Sequence, residues 1–295
     1  MWKKIWLLYW KIVPKFIPMK ETLRFNSLWA AYKFIYKRIS WSDIDRGDWG
    51  PIKKDLPLNN CIFVYWKQGF ENAPEIVMKC VKSIKANAGL HKVILLSDDN
   101  IKEYVRIPDH IETLLKQKKM AIANYSDIVR TDLLIRYGGI WCDSTCFLTE
   151  SFPKYVENEP IFLFNTLASS KFGTPSKCSN WFIKANQGNI VLKKIQNFLN
   201  EYYKHYDFPC AYLIWHYTLS ALIESNSECR KIWDNKPYVC NVNPHLLQKF
   251  FKKEFSEKNY EYVLKGSFVH KLSYKFDRKK TSPNSYTYYD HFMKS

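Results

Sequence analysis

The stretch from Tyr125 to Thr145, YSDIVRTDLLIRYGGIWCDST, restricts the possible folds more than any other part of the chain. Ile128, Val129, Leu133 and Leu134 recur at helical spacing, and Ser126 or Asn124 can cap the start. Gly138 and Gly139 end the periodic run, as glycines do where a helix must turn out of its own path. Ile140, Trp141 and Cys142 then read as a short apolar strand that delivers Asp143 at its end. A helix running into a strand in this way belongs in a sheet with crossover helices.

Two earlier segments repeat the alternation. The run 61-CIFVYW-66 is β-prone and is followed by a loop with Gly69 and Pro74, then by a helix to about Lys85. HKVILLSDDN is a second strand ending at Ser97-Asp98-Asp99, with another helical stretch behind it. The expected fold class is therefore α/β, with a mainly parallel central sheet whose ligands bind beyond the carboxyl ends of the strands. Trp66 and Asp98 both fall at such ends. Further along, 181–204 and 211–224 read as helices and 237–240 as a strand, and no internal repeat or low-complexity tract is present.

The sequence before this unit differs in character. MWKKIWLLYWKIVPKF is basic and apolar, but its uncharged runs fall far short of the roughly 20 residues a membrane span requires. Trp2, Ile5, Trp6, Tyr9 and Val13 share one helical face, with Lys4, Lys11 and Lys15 opposite. The pattern suits a helix lying in an anionic membrane interface, although docking on the protein's own core is the ordinary alternative. Phe25, Leu28, Trp29, Tyr32 and Tyr36 continue the helical theme, and the Asp-, Gly- and Pro-rich WSDIDRGDWGPIKKDLPLNN reads as a linker. The expected organisation is a membrane-associating helical segment over 1–55, the α/β domain over 56–280 and a tail over 281–295.

Composition narrows the partners. Forty-five basic against 28 acidic residues give a net charge of +17, which favours an anionic partner: a membrane face, phosphorylated small molecules or nucleic acid. No recognised nucleic-acid-binding motif is present, so nucleic acid is not the expected partner. A chain of 295 residues does not depend on disulfides, and its eight cysteines read as reduced, buried thiols. Cys142 and Cys146 lack a second pair at zinc-site spacing.

The candidate chemistry centres on three charged residues. An aspartate at a strand exit beside hydroxyl residues can hold a divalent cation against a diphosphate. Asp127 and Arg130, three residues apart on one helical face, offer an acceptor and a donor to sugar hydroxyls, or else a simple ion pair. His216, on an aromatic-rich helix, reads as a packed, hydrogen-bonded core histidine rather than a base.

Ser126, Asp127, Arg130, Leu134, Gly138, Gly139, Ile140, Trp141 and Asp143 match the signature of glycosyltransferases with a DxD sugar-binding region. The chain resembles, more narrowly, the bacterial capsular polysaccharide synthesis glycosyltransferases. YWKQGFENAPEIV, SNWFIKANQGNIVLKK, NPHLLQ and FVHKLSYK also fit that group, over about 58–276. The resemblance implies a GT-A (Rossmann-like) fold and retaining transfer of a hexose, UDP-galactose or UDP-glucose being the expected donor. The acceptor would be a lipid-linked or growing surface glycan, met from the cytoplasm at the inner face of the plasma membrane. Asp127 and Arg130 would hold the donor sugar, Asp143 would bind metal and ribose or diphosphate, and Trp66 or Tyr65 would stack on the base. His270 and Lys271 would close over the diphosphate, with Asp98, Trp141 and Thr145 completing the donor site and Asn180 and Trp181 nearby.

One departure stands out. Asp143-Ser144-Thr145 has threonine where a full DxD carries its second carboxylate. The expected cation, Mn²⁺ in preference to Mg²⁺, would then rest on Asp143, the donor's phosphates and the His270 imidazole. A glycoside hydrolase using Asp127 and Asp143 would leave Arg130 and the basic residues unexplained. The third alternative is a non-catalytic basic module for membrane or RNA.

Overall fold

The computed structural model describes residues 20–45, 47–167, 174–276 and 285–295. The basic stretch around Trp2 to Val13 lies outside them.

A five-stranded sheet, in the order β2 (Lys92–Leu96), β1 (Cys61–Tyr65), β3 (Gly139–Cys142), β6 (Cys178–Ala185) and β5 (Ile161–Asn165), forms the centre. β1 (Cys61–Tyr65) pairs in parallel with β2 (Lys92–Leu96) on one side and with β3 (Gly139–Cys142) on the other. β6 (Cys178–Ala185) runs antiparallel to both β3 and β5 (Ile161–Asn165), so four strands point one way and one is reversed. β4 (Cys146–Leu148) and β7 (Val269–Lys271) form a separate antiparallel pair.

β1 and β3 are apolar and fully buried because both faces of the sheet are covered at its centre. Cys61, Phe63 and Tyr65 of β1 face one core, with Trp141, Ile183, Leu163 and the helices Ile122–Tyr137, Ile190–His205 and Ile214–Ser225. Ile62 and Val64 face the other, with Ile140, Cys142, Phe162, Phe164, Phe182 and the helix Glu75–Ala86.

The chain leaves β1 for β2 on one side and returns past β1 to β3 on the other. The carboxyl ends of β1 and β3 therefore flank the point where the direction of winding reverses, which is where open α/β sheets bind ligands. Gly138 and Gly139 make the return possible with φ of +65° and +92°. A Cβ on Gly139 would run into the backbone of Cys61, and one on Gly138 into the Asn59 side chain. Glycine is required here for close approach as well as for the turn.

Several expectations need correction. The segment 181–204 is not one helix, because 178–185 is β6 and the helix starts at Ile190 behind Gly188 and the Asn189 cap. Every residue of β6, CSNWFIKA, is buried, so its sequence lacks the alternation that would have marked it as a strand. The motif helix begins at Ile122, a turn before Ser126, without a side-chain cap. The expected strand at 237–240 is reduced to a single bridge between Asn165 and Cys240.

The N-terminal segment is not separate over its described part. Ala31, Tyr32, Phe34 and Ile35, on the helix Lys20–Tyr36, are buried in the main core. At the other end, Tyr288 and Phe292 of the helix Tyr288–Lys294 are buried in the second core, so the tail also belongs to the fold. No helix of the described residues is long and apolar enough to cross a membrane.

Candidate active site

The sequence-predicted aspartates and arginine meet where β3 ends. Arg130, from the helix Ile122–Tyr137, points its guanidinium between two carboxylates, with Nη2 3.4 Å from Asp127 Oδ1 and 3.5 Å from Asp143 Oδ1. The guanidinium is held rigidly: Nη1 donates to the Asn180 carbonyl at 2.6 Å, Nε to the Ser126 carbonyl and Nη2 to Ser126 Oγ. It also lies 4.9 Å from the Trp141 ring centroid, a cation–π distance. The Trp141 indole N–H donates to Asp143 Oδ1 at 2.9 Å. Asp127 Oδ1 accepts a 2.8 Å bond from the Asn180 amide.

β4 and β7 bring in the second cation. After Asp143 the chain makes a tight turn, in which the Cys146 N–H donates to the Asp143 carbonyl, and enters β4. β4 pairs with β7 in the register Cys146 with Lys271 and Phe147 with His270. That register lays the Lys271 ammonium 2.9 Å from Asp143 Oδ2 and 2.5 Å from Thr145 Oγ1.

The alternation of a strand sends its neighbour the other way. His270 is completely buried, its Nε2 meets the Leu264 carbonyl, and its Nδ1 has no partner. His270 is therefore not beside Asp143, and its expected part in closing over the diphosphate and holding a metal is corrected by this geometry. Burial pushes its pKa down to about 4, with the backbone carbonyls opposing.

The two aspartates have different electrostatic settings. Burial raises the Asp127 carboxyl to about 6, although Arg130 and Asn180 pull it down. Burial would raise Asp143 too, but Lys271 and Arg130 outweigh it and hold that carboxyl below its ordinary value. Burial works against the Lys271 charge, and Asp143 more than restores it.

The first strand supplies the other wall. The Tyr65 hydroxyl donates to Asp98 Oδ1 at 2.6 Å, and Lys67 pairs with the same carboxylate. Tyr65 is buried and so occupied, whereas Trp66 is half-buried with its ring 5.0 Å from Tyr274, edge to face. Of the two aromatics, Trp66 keeps a surface for a base. Tyr274 was given no part by sequence reasoning, although it lies three residues beyond Lys271 in FVHKLSYK. His245 was also missed: it stacks edge to face with Trp181 at 5.6 Å, and Trp181 fixes Asp143 by accepting its N–H.

His216 is buried as expected, but its Nδ1 has no hydrogen-bond partner. Burial and then Arg130 lower its pKa to about 3. A cavity of about 360 Å³ lined by Trp49, Arg106, His110, Arg136 and Lys204 lies at the C-terminal end of the Ile122–Tyr137 helix and includes none of the site residues named above.

A divalent cation finds a poor donor set at this site. Both oxygens of Asp143 are engaged by Lys271, Arg130 and Trp141, and Thr145 accepts from Lys271. His270 faces away, and among the described residues no group of three His, Cys, Asp or Glu side chains is placed to hold a metal. Such a site wants several free oxygen or nitrogen ligands, and here cations already occupy them.

Comparison with known proteins adds the family. A solved structure, the PaToxG glycosyltransferase, aligns at a TM-score of 0.38 with 15% identity over 70% of this chain and 82% of that one, too remote a likeness to bear on function. No curated protein sequence matches. The family model for capsular polysaccharide synthesis proteins matches residues 39–292, a span that contains every residue of the Asp127–Arg130–Asp143–Lys271 cluster. The chain belongs to the capsular polysaccharide synthesis family.

Proposed function

We propose that the protein is a glycosyltransferase of the GT-A type that moves a hexose, with retention, from a nucleotide-diphosphate sugar to a lipid-linked or growing capsular glycan. The observation that carries this reading is the charge ladder at the end of β3, where Asp127, Arg130, Asp143 and Lys271 alternate in sign with each neighbouring pair 2.9 to 3.5 Å apart. A glycosyl diphosphate needs such a mixture. Its sugar hydroxyls pair with a carboxylate and a guanidinium, and its departing phosphate needs cations. A hydrolase would use its two carboxyls free, on either side of a scissile bond, whereas here one guanidinium bridges both.

In the transfer, the bond from the anomeric carbon to the diphosphate oxygen breaks and a bond to the acceptor's oxygen forms on the same face. The acceptor's proton passes to a phosphate oxygen of the leaving group. Asp127, braced by Asn180, accepts from the donor's hydroxyls, and Arg130 orients the sugar between the carboxylates. Trp66 stacks on the base, with Tyr65 setting Asp98 behind it. UDP-glucose and UDP-galactose are the proposed donors. A cytoplasmic membrane face, approached through the basic N-terminal sequence, is the proposed setting, consistent with the excess of positive charge.

The test is release of UDP from UDP-glucose or UDP-galactose, followed with membrane extract as a source of glycan acceptors. Wild-type protein is expected to release nucleotide and label the glycan, and Arg130→Ala to do neither. Wild-type protein that cleaves glycans without any nucleotide sugar would show the hydrolase reading to be right instead.

A further inference from the structure

We infer that the Lys271 ammonium takes the place of a divalent cation, so that the protein binds the diphosphate of its nucleotide donor without metal. This rests on the nucleotide-sugar reading above and specifies how the phosphates are held.

The motif Asp143-Ser144-Thr145 offers two side-chain oxygens on either side of a position where a cation would sit. Lys271 Nζ fills that position, 2.9 Å from Asp143 Oδ2 and 2.5 Å from Thr145 Oγ1. An ammonium has three donors, and these two bonds leave the third for a ligand. The residue is not sealed in: the Lys271 and Asp143 side chains keep 20% and 24% of their surface exposed, against 6% for Arg130. An incoming phosphate can therefore reach the ammonium directly.

The threonine is explained by the same arrangement. A neutral hydroxyl accepts from Lys271 without neutralising it, so the ammonium keeps charge for the phosphate. A carboxylate at position 145 would pair with the lysine and make room for an ion of higher charge. With threonine there, a divalent ion would have to displace Lys271 from the one strongly ionised carboxylate and sit between two cations. Backbone geometry holds the lysine in place, because β7 is registered to β4 and the Leu272 N–H donates to the Thr145 carbonyl. Arg130, on the other oxygen of Asp143, supplies the second positive charge. The two cations offset Asp127 and Asp143, so an approaching diphosphate meets ammonium and guanidinium donors rather than two uncompensated carboxylates.

The experiment is calorimetric titration of the full chain with UDP, GDP, CDP and ADP, in EDTA and again with Mn²⁺ or Mg²⁺. The expected result is that at least one nucleotide binds in EDTA, with an affinity that metal changes by less than about threefold, and that Lys271→Ala weakens it at least about tenfold. Thr145→Asp should reverse the preference, binding poorly in EDTA and regaining affinity with Mn²⁺. Should Lys271→Ala fail to fold, the EDTA comparison on the wild type and the Thr145→Asp variant still decide the matter. Binding by the wild type only when metal is present overturns the inference and leaves the transferase reading intact. No nucleotide binding by folded protein under either condition overturns both.

Discussion

Asp127 is a residue whose functional placement works against stability. Its carboxyl, raised to about 6 by burial, binds a proton more tightly in the folded chain than in the unfolded one. The sign follows from linkage: between about pH 4 and pH 6 the native state holds the extra proton, so stability falls as pH rises through that window. Above it the folded protein carries a desolvated carboxylate, a penalty on the order of 1–3 kcal/mol. Asp127→Asn removes that charge and leaves an oxygen for the Asn180 amide. The variant should lose sugar transfer while its urea midpoint exceeds the wild type's at pH 7.5, the difference shrinking toward pH 4.5. His270 gives the opposite case. Its pKa is lowered to about 4, so between about pH 6.5 and pH 4 the unfolded chain takes up a proton that the buried ring does not, and stability falls as pH falls. His270→Leu should flatten the loss of stability between pH 6.5 and pH 4. Because the ring faces Leu264 and not Asp143, it should leave nucleotide affinity unchanged in the same titrations.

At the scale of elements, the decisive piece is the join between the Ile122–Tyr137 helix and β3. Gly139 combines a φ of +92° with contact against the Cys61 backbone, which cannot move because β1 is the central partner of β2 and β3. Gly139→Ala should therefore cost more than about 3 kcal/mol and yield little soluble protein. Gly69, with a φ of +80° and nothing near its missing Cβ, is the control: Gly69→Ala should cost only about 1 kcal/mol, read by thermal melting. This join was legible in the sequence because every signal in it is local: helical spacing, two glycines, a short apolar run and an aspartate. The Asp127–Arg130 pair was legible for the same reason, whereas its joining with Asp143 in one site was implied by the family resemblance. β6 was not, since a strand buried on both faces carries no alternation and runs straight into a capped helix. Nor could spacing reveal which of His270 and Lys271 faces Asp143. Adjacent strand residues point oppositely, and the choice is set by pairing with β4, more than 120 residues away in the chain.

Across the whole molecule, the same dependence on distant packing decides where the folding unit begins. The linker composition near residue 55 suggests a cut there, but the helix before it completes the core. Tyr32 is 5% exposed, Phe34 8% and Ile35 0%, and all three sit against the helices that back the sheet. Tyr32 donates to Glu224 and meets Tyr217 edge to face at 6.4 Å, while Phe34 lies against Tyr202 and Tyr206. Burying three large apolar side chains contributes roughly 5–9 kcal/mol, comparable to the entire net stability of a typical domain. The Ile190–His205 helix is also tied to this region, as the Asn197 amide donates to the Ser42 carbonyl and Lys194 pairs with Asp43. That helix packs on the one carrying Asp127 and Arg130, so loosening the N-terminal helix should loosen the site as well. A chain starting at residue 56 is expected to be insoluble or to lack a cooperative melt. A chain starting at residue 20 should melt as a single transition and bind nucleotide like the full chain. Equal cooperativity and nucleotide affinity in both truncations would mean that residues 20–55 only rest on a domain that is complete without them.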